Sequence, residues 1–341
     1  MPDTFGVADA VQLAVVERSG FIESRHAGAA IVLAPDGTVM RSLGATDALV
    51  FPRSSLKPFQ SLASQTAGVT LTGEWAALST ASHSGTDRHV TVVRDMLASV
   101  GLTEDDLGCP AAWPGDSATR DEMLLSGGQK SRLRMNCSGK HAAMLMACVA
   151  NEWSTADYLA PTHPLQVHTR EVVERLTGER VAAVGIDGCG APVFAMTLAG
   201  LARGIHRIGT AAERSPFALH RLAGALVRTV RENPWAIEGP GRPDTVVIET
   251  TGAFAKGGAE AIMVMVAPDG TTVALKMLDG GARACAIVAL HLLQDAGALA
   301  PETVAAAAAH LSLAVLGGGE VVGSIRPAIV AARHQAPTTG A

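Results

Sequence analysis

"AAIVLAPDGTVMRSLG" (residues 29–44) and "AIMVMVAPDGTTVALKML" (261–278) share one plan: an apolar run, Pro-Asp-Gly, then a second apolar run. Proline presets φ, aspartate bonds the backbone ahead of it, and glycine supplies a positive φ. Each stretch therefore reads as a β-hairpin. The two lie near opposite ends of a 341-residue chain. Between them the pattern turns helical, as in "DRHVTVVRDMLASVG" (87–101) and "SPFALHRLAGALVRTVRE" (215–232), where apolar residues recur at helical spacing. The economical arrangement is an α/β chain whose antiparallel sheet comes from the N- and C-terminal regions and is flanked by helices. The sheet lobe takes about residues 10–50 and 240–330, and a mainly helical lobe with loops, about 51–239, is inserted. Residues 336–341 read as a flexible tail.

Composition narrows the functional classes. Hydrophobic residues make up 48% and charged residues 17%, enough apolar material for a sizeable core. Aromatics are only 4%, which argues against a base-stacking surface, and a net charge of −5 offers no basic field for phosphates. Five cysteines, an odd number, fit a reducing compartment better than a disulfide framework. The start lacks the basic and apolar regions of a secretory signal, and the Ala-rich stretch 303–316, which holds His310, reads as a buried helix. The expectation is a cytoplasmic protein.

Lysine is rare here: Lys57, Lys130, Lys140, Lys256 and Lys276 are all there are. In "FPRSSLKPFQS" (51–61), Ser54 stands three residues ahead of Lys57, so both fall on one helix face. A lysine whose proton affinity is lowered by burial or by a neighbouring cation such as Arg53 could activate that serine. The competing reading makes Ser54 a helix cap ahead of a first-turn Pro58. "MNCSGKHAAMLMACVA" (135–150) repeats the spacing with Cys137 and Lys140, then runs into a buried-helix pattern. "VGIDGCGAPVFAM" (184–196) sets Asp187 and Cys189 among three glycines, whose turns would present both at a surface cleft. Cys137 and Cys189 with a nitrogen would suit zinc with one open position, and by chemistry alone that nitrogen is His141. Taken as isolated cysteines they read rather as small buried hydrophobes. "STASHSGTDRHV" (79–90) clusters Ser82, His83 and Ser84 before a helix, where capping is the ordinary role. "FAKGGAEA" (254–261) carries Lys256 over two glycines into the second hairpin, or leaves it on an exposed loop. No P-loop, dinucleotide fingerprint, His-Glu-x-x-His or Cys-x-x-Cys occurs.

Taken in order, "VERSGFIESRHAG", "PRSSLKPFQ", "ASHSG", "NCSGKHAAML", "GIDGCGAPVFAM", "KGGAEA" and "ALKMLDGGARA" resemble the L-asparaginases of the Rhizobium etli type, the asparaginase II family. The resemblance spans about residues 16–285. It implies hydrolysis of L-asparagine to L-aspartate and ammonia by a single two-lobed catalytic unit, a serine β-lactamase-like fold and a homodimer. It places a nucleophile pair on Ser54 and Lys57, a second Ser–Lys pair on Ser82 and Lys256, and substrate contacts on Arg53, Asp187 and Gly190. It also implies zinc held by Cys137, Lys140 and Cys189, which moves the nitrogen ligand from His141 to Lys140. Two departures stand out: "CPAAWPGD" (109–116) matches its family segment loosely, and Thr86 replaces a common glutamate. A glutaminase, a β-lactamase or peptidase using the same pair, and a non-enzymatic zinc-thiolate protein are the alternative readings.

Overall fold

The computed structural model describes residues 3–329; the tail expected at 336–341 lies outside them. Its strands are β1 (Val11–Arg18), β2 (Phe21–Leu33), β3 (Val39–Leu43), β4 (Leu49–Val50), β5 (Ala183–Ile186) and β6 (Pro192–Thr197). They continue with β7 (Phe254–Gly258), β8 (Ile262–Val266), β9 (Thr272–Met277), β10 (Ala314–Gly317) and β11 (Glu320–Pro327).

Both Pro-Asp-Gly stretches fold as hairpins, and with the same turn chemistry. In the β2–β3 turn, Ala34 O accepts from Gly37 N–H at 2.8 Å and Asp36 Oδ1 from Thr38 N–H at 2.9 Å. In the β8–β9 turn, Ala267 O accepts from Gly270 N–H at 2.9 Å and Asp269 Oδ1 from Thr271 N–H at 2.8 Å. The two hairpins then pair with each other, β2 against β9 from Gly28↔Met277 to Leu33↔Thr272. The main sheet runs β10-β11-β1-β2-β9-β8-β7, antiparallel at each pairing, so the two ends of the chain do share one sheet. β1 takes the first part of the free edge of β2 and β3 the second. A small second sheet, β4-β6-β5, holds the 184–196 stretch.

β8 and β9 are buried at every residue rather than at alternate ones. Two helices, Leu198–Gly209 and Cys285–Asp295, pack on them, and strands covered on both faces read as continuous apolar runs. Eight further helices between Lys57 and Thr251 build the inserted region, among them Asp87–Ala98 and Ala218–Glu232 where the spacing places them. Among the described residues no helix is long and apolar enough to cross a membrane.

Three local expectations change. The Ala-rich stretch forms a helix only over Pro301–Ala309, with just Val304 and Ala307 buried, before β10 begins; its alanines cover too little area to require burial. Lys256 sits on β7 and is fully buried rather than on an exposed loop. Cys189 is sealed at 1% exposure, because the tight β5–β6 turn folds it inward and leaves only Asp187 half open.

Candidate active site

The chain leaves β4 through Phe51 and Pro52 and enters a 3-10 turn, Arg53–Leu56, that runs into the helix Lys57–Thr66. Arg53 holds a left-handed backbone (φ +50°), a conformation that costs a non-glycine residue about 1–3 kcal/mol. Its guanidinium donates to Asp187 Oδ1 at 2.7 Å, which ties the turn to the β5–β6 hairpin. Ser54 caps nothing: the turn is led by Pro52, no side-chain cap bond forms, and Pro58 occupies the first helical turn. The serine faces a cavity of about 370 Å³ that it shares with Ser82, Asn136, Lys256, Asp244 and Glu238. β7 runs so close to this turn that a Cβ on Gly258 would stand 2.7 Å from Pro52 O and 3.3 Å from the Ser54 nitrogen. Only glycine permits that approach.

Lys57 is buried and points away from solvent, with Nζ donating to Ser82 Oγ at 2.9 Å, to Asn136 O at 3.3 Å and to Ala81 O. Its hydrogen-bonded hydroxyl is thus Ser82, while Ser54 lies one turn ahead of it on the chain. Burial pushes the Lys57 ammonium toward its neutral form; Cys137 opposes this, and the charges of Lys256 and Lys140 add to it. Ser82 is fixed by backbone pairing: its N–H donates to Ile237 O at 2.8 Å and that of Ser84 to Glu238 O at 2.7 Å.

Lys256 is paired elsewhere than the sequence suggests. Its Nζ donates to Asp244 Oδ2 and to Gly257 O, both at 2.8 Å, and not to Ser82. The reason is topological: the helix Pro243–Thr251 packs on β7 and delivers a carboxylate against the strand's buried lysine. Asp244 and Glu238 were missed from sequence. The signal available was "EGPGRPD" (238–244), an acidic pair bracketing a Gly/Pro turn before a helix, with nothing local to mark it as part of a site.

A second cluster lies behind the Ser–Lys corner. Cys137 leads the buried helix Ser138–Ala150, and Lys140 Nζ donates to Cys189 Sγ at 3.0 Å. The Cys137 thiol is held well below the usual range, first by a hydrogen bond from Cys189, then, against burial, by the charges of Lys57 and Lys140. Cys189, as the donor, is pushed up, and burial adds to this. Burial works against the Lys140 ammonium, but the charges of Cys189 and Cys137 outweigh it and hold Lys140 raised. His141 Nδ1 pairs with Tyr158 OH at 2.6 Å, its Nε2 is buried without a partner, and burial lowers its pKa to about 4.

Zinc fits this donor set only through the lysine. Among the described residues no three His, Cys, Asp or Glu side chains are grouped to hold a metal ion. Two thiols with an amine at 3.0 Å, beside an orphaned imidazole nitrogen, make a sulfur–nitrogen set of the kind zinc takes. Asp187 borders the cluster, held down, although burial opposes it, by Arg53 and the Lys140 charge. Gly190 closes the same turn at φ +87°, packed on Leu159. None of Arg53, Asp187 and Gly190 lines the 370 Å³ cavity itself. His83 and His89 stack 5.0 Å apart; His83 bonds Ser138 Oγ at 2.8 Å and His89 takes Thr86 as its partner. Neither borders that cavity.

An antiparallel sheet flanked by helices thus carries one cleft on which two serines and a buried lysine converge. The sequence model of the L-asparaginase II family matches residues 14–327, and the chain belongs to that family. No curated protein matches significantly. Among solved structures, Mglu is 12% identical with a TM-score of 0.43, over 79% of this chain and 67% of that one. A Bacillus glutaminase is 12% identical (TM-score 0.41; 80% and 91% covered), and a protein from Bacteroides dorei described as a β-lactamase is 15% identical (TM-score 0.39; 73% and 84%). The chain spans about 59–67% of the length of the Mglu structures it matches.

Proposed function

We propose that the chain hydrolyses L-asparagine to L-aspartate and ammonia through an acyl-enzyme on Ser54. The observation that carries this reading is the convergence of Ser54, Ser82 and Lys256 on one cavity, with Lys57 hydrogen-bonded to Ser82 at 2.9 Å. Ser54 Oγ attacks the side-chain amide carbon and its proton passes to neutral Lys57, directly or through Ser82. The C–N bond breaks, and ammonia leaves with the proton returned through Ser82. Water then cleaves the β-aspartyl ester and restores the serine hydroxyl. The Ser54 N–H, which has no backbone acceptor among the described residues, is placed to stabilise the oxyanion. Substrate contacts are assigned to Arg53, Asp187 and Gly190, a turn tethered next to Ser54 by the 2.7 Å Arg53–Asp187 bond.

Cys137, Lys140 and Cys189 would hold zinc, and Lys140 must give up its proton to do so. When bound, the metal supplies a positive charge that ties the start of helix Ser138–Ala150 to the β5–β6 turn. The reading further includes a homodimer acting in the cytoplasm; five free, buried cysteines support a reducing compartment.

The 2.9 Å bond favours one second reading, in which Ser82 is the nucleophile and Ser54 assists it. Ammonia release from asparagine and glutamine, with and without chelator, tests the activity and its preference. Mass spectrometry of trapped acyl-enzyme in Ser54→Ala and Ser82→Ala separates the two serines. If Ser54→Ala keeps near-normal turnover, the first reading is lost.

A further inference from the structure

Two lysines border the reaction centre, and their surroundings differ in kind. Lys57 donates to neutral oxygens, those of Ala81, Ser82 and Asn136, with the Cys137 sulfur beside it and no carboxylate among its partners. Lys256 meets a carboxylate. Asp244 is 2% exposed and its Oδ2 lies 2.8 Å from Lys256 Nζ; both its oxygens also accept from Gly257 N–H at 2.9 Å. A Cβ on residue 257 would stand 3.1 Å from Asp244 Oδ1, so the strand's glycine is part of the grip. Glu238 Oε2 in turn accepts from Asp244 N–H at 2.9 Å. Lys256, Asp244 and Glu238 all line the cavity that holds Ser54 and Ser82.

We propose that Asp244 is a positioning residue of this site: it fixes Lys256 as a standing ammonium at the cavity wall, so that Lys256 supplies positive charge rather than accepting a proton. The inference rests on the hydrolytic reading above and divides labour between the lysines, with Lys57 moving the proton and Lys256 holding charge near the anionic groups of substrate and intermediate. An ammonium bonded to a buried carboxylate has no lone pair to offer a hydroxyl, and separating the two leaves an unpaired buried charge. The titratable groups set against Lys256 are Asp244 at the start of helix Pro243–Thr251, Glu238 ahead of it, and Lys57 from the neighbouring helix.

The two roles give opposite signs in one experiment. Removing the Asp244 charge disfavours the ammonium form of Lys256. If Lys256 works as a cation, Asp244→Asn lowers kcat/KM at neutral pH at least tenfold and moves the alkaline limb of the pH–rate profile to lower pH. Asp244→Glu, which keeps the charge, leaves that limb in place. If Lys256 works as a base, Asp244→Asn moves the acidic limb to lower pH and raises activity below neutrality; that result, or an unmoved profile, overturns the proposal. Where Asp244→Asn does not fold, Lys256→Arg against Lys256→Met decides. Arginine stays protonated and serves only as a cation, so tenfold more activity in the arginine variant supports the proposal and equal loss overturns it. Ser54→Ala, assayed alongside, reports on the hydrolytic reading alone.

Discussion

Two helix starts in this chain carry the same spacing, Ser54-x-x-Lys57 and Cys137-x-x-Lys140, and bury the lysine in both. Their electrostatics diverge. Burial lowers Lys57, whose oxygen acceptors are neutral, and the single Cys137 sulfur beside it does not reverse the shift. The same burial acts on Lys140 and loses to two sulfur charges. Burial alone therefore does not make a lysine a base; the first neighbours set the sign. Under the hydrolytic proposal the first lysine takes a proton from a hydroxyl, and the second stays charged until something displaces its proton.

The largest effect expected is at the first start. Lys57→Met lowers kcat for asparagine by about 10²–10⁴-fold, the worth of a general base, with an unchanged circular dichroism spectrum. Lys140→Met, by contrast, loses zinc by elemental analysis and retains more turnover. Equal losses in the two variants would erase the contrast. Gly258→Ala, which drives a Cβ to 2.7 Å from Pro52 O, costs about 1–3 kcal/mol in denaturant unfolding and lowers turnover by shifting Ser54. A variant as stable and active as the parent would show that β7 does not set the serine. Chelation lowers the melting temperature of the parent by a few degrees and leaves Cys189→Ala unmoved, since the cluster ties two segments together; an equal shift in both would place the metal elsewhere.

The smallest effect is on acid stability. Burial, the largest cause, lowers the His89 pKa from 6.5 to about 4, and buried His83 is depressed too. The unfolded chain binds those protons first, so the stability from neutral burial is full above pH 6.5 and is lost as pH falls toward 4. His89→Gln should flatten the melting temperature against pH across that window. An unchanged slope would assign acid loss to the carboxylates.

Much of the site was legible one stretch at a time. Ser54, Ser82 and Lys256 line the cavity, Lys57 bonds Ser82, and Cys137, Lys140 and Cys189 do cluster. Their pairing was not legible. Lys256 goes to Asp244, and Lys57 reaches Ser82 across 25 residues, because partners brought together by packing leave no local spacing to read. Arg53, Asp187 and Gly190 form one tethered turn, but beside the thiol cluster rather than on the cavity wall.

By itself the sequence determined both hairpins, since Pro-Asp-Gly dictates a turn through backbone geometry that needs no distant partner. It also pointed to the helices that carry Lys57 and Lys140, through the first-turn Pro58 and the Ala/Met/Leu run after Gly139. Only the tertiary structure decided which lysine faces a carboxylate, which faces two thiols and which faces neutral oxygens with one thiol beside them. Those contacts depend on how β7, the helix Pro243–Thr251 and the β5–β6 turn pack, and charge inside a protein answers to the nearest few ångströms of space rather than to distance along the chain.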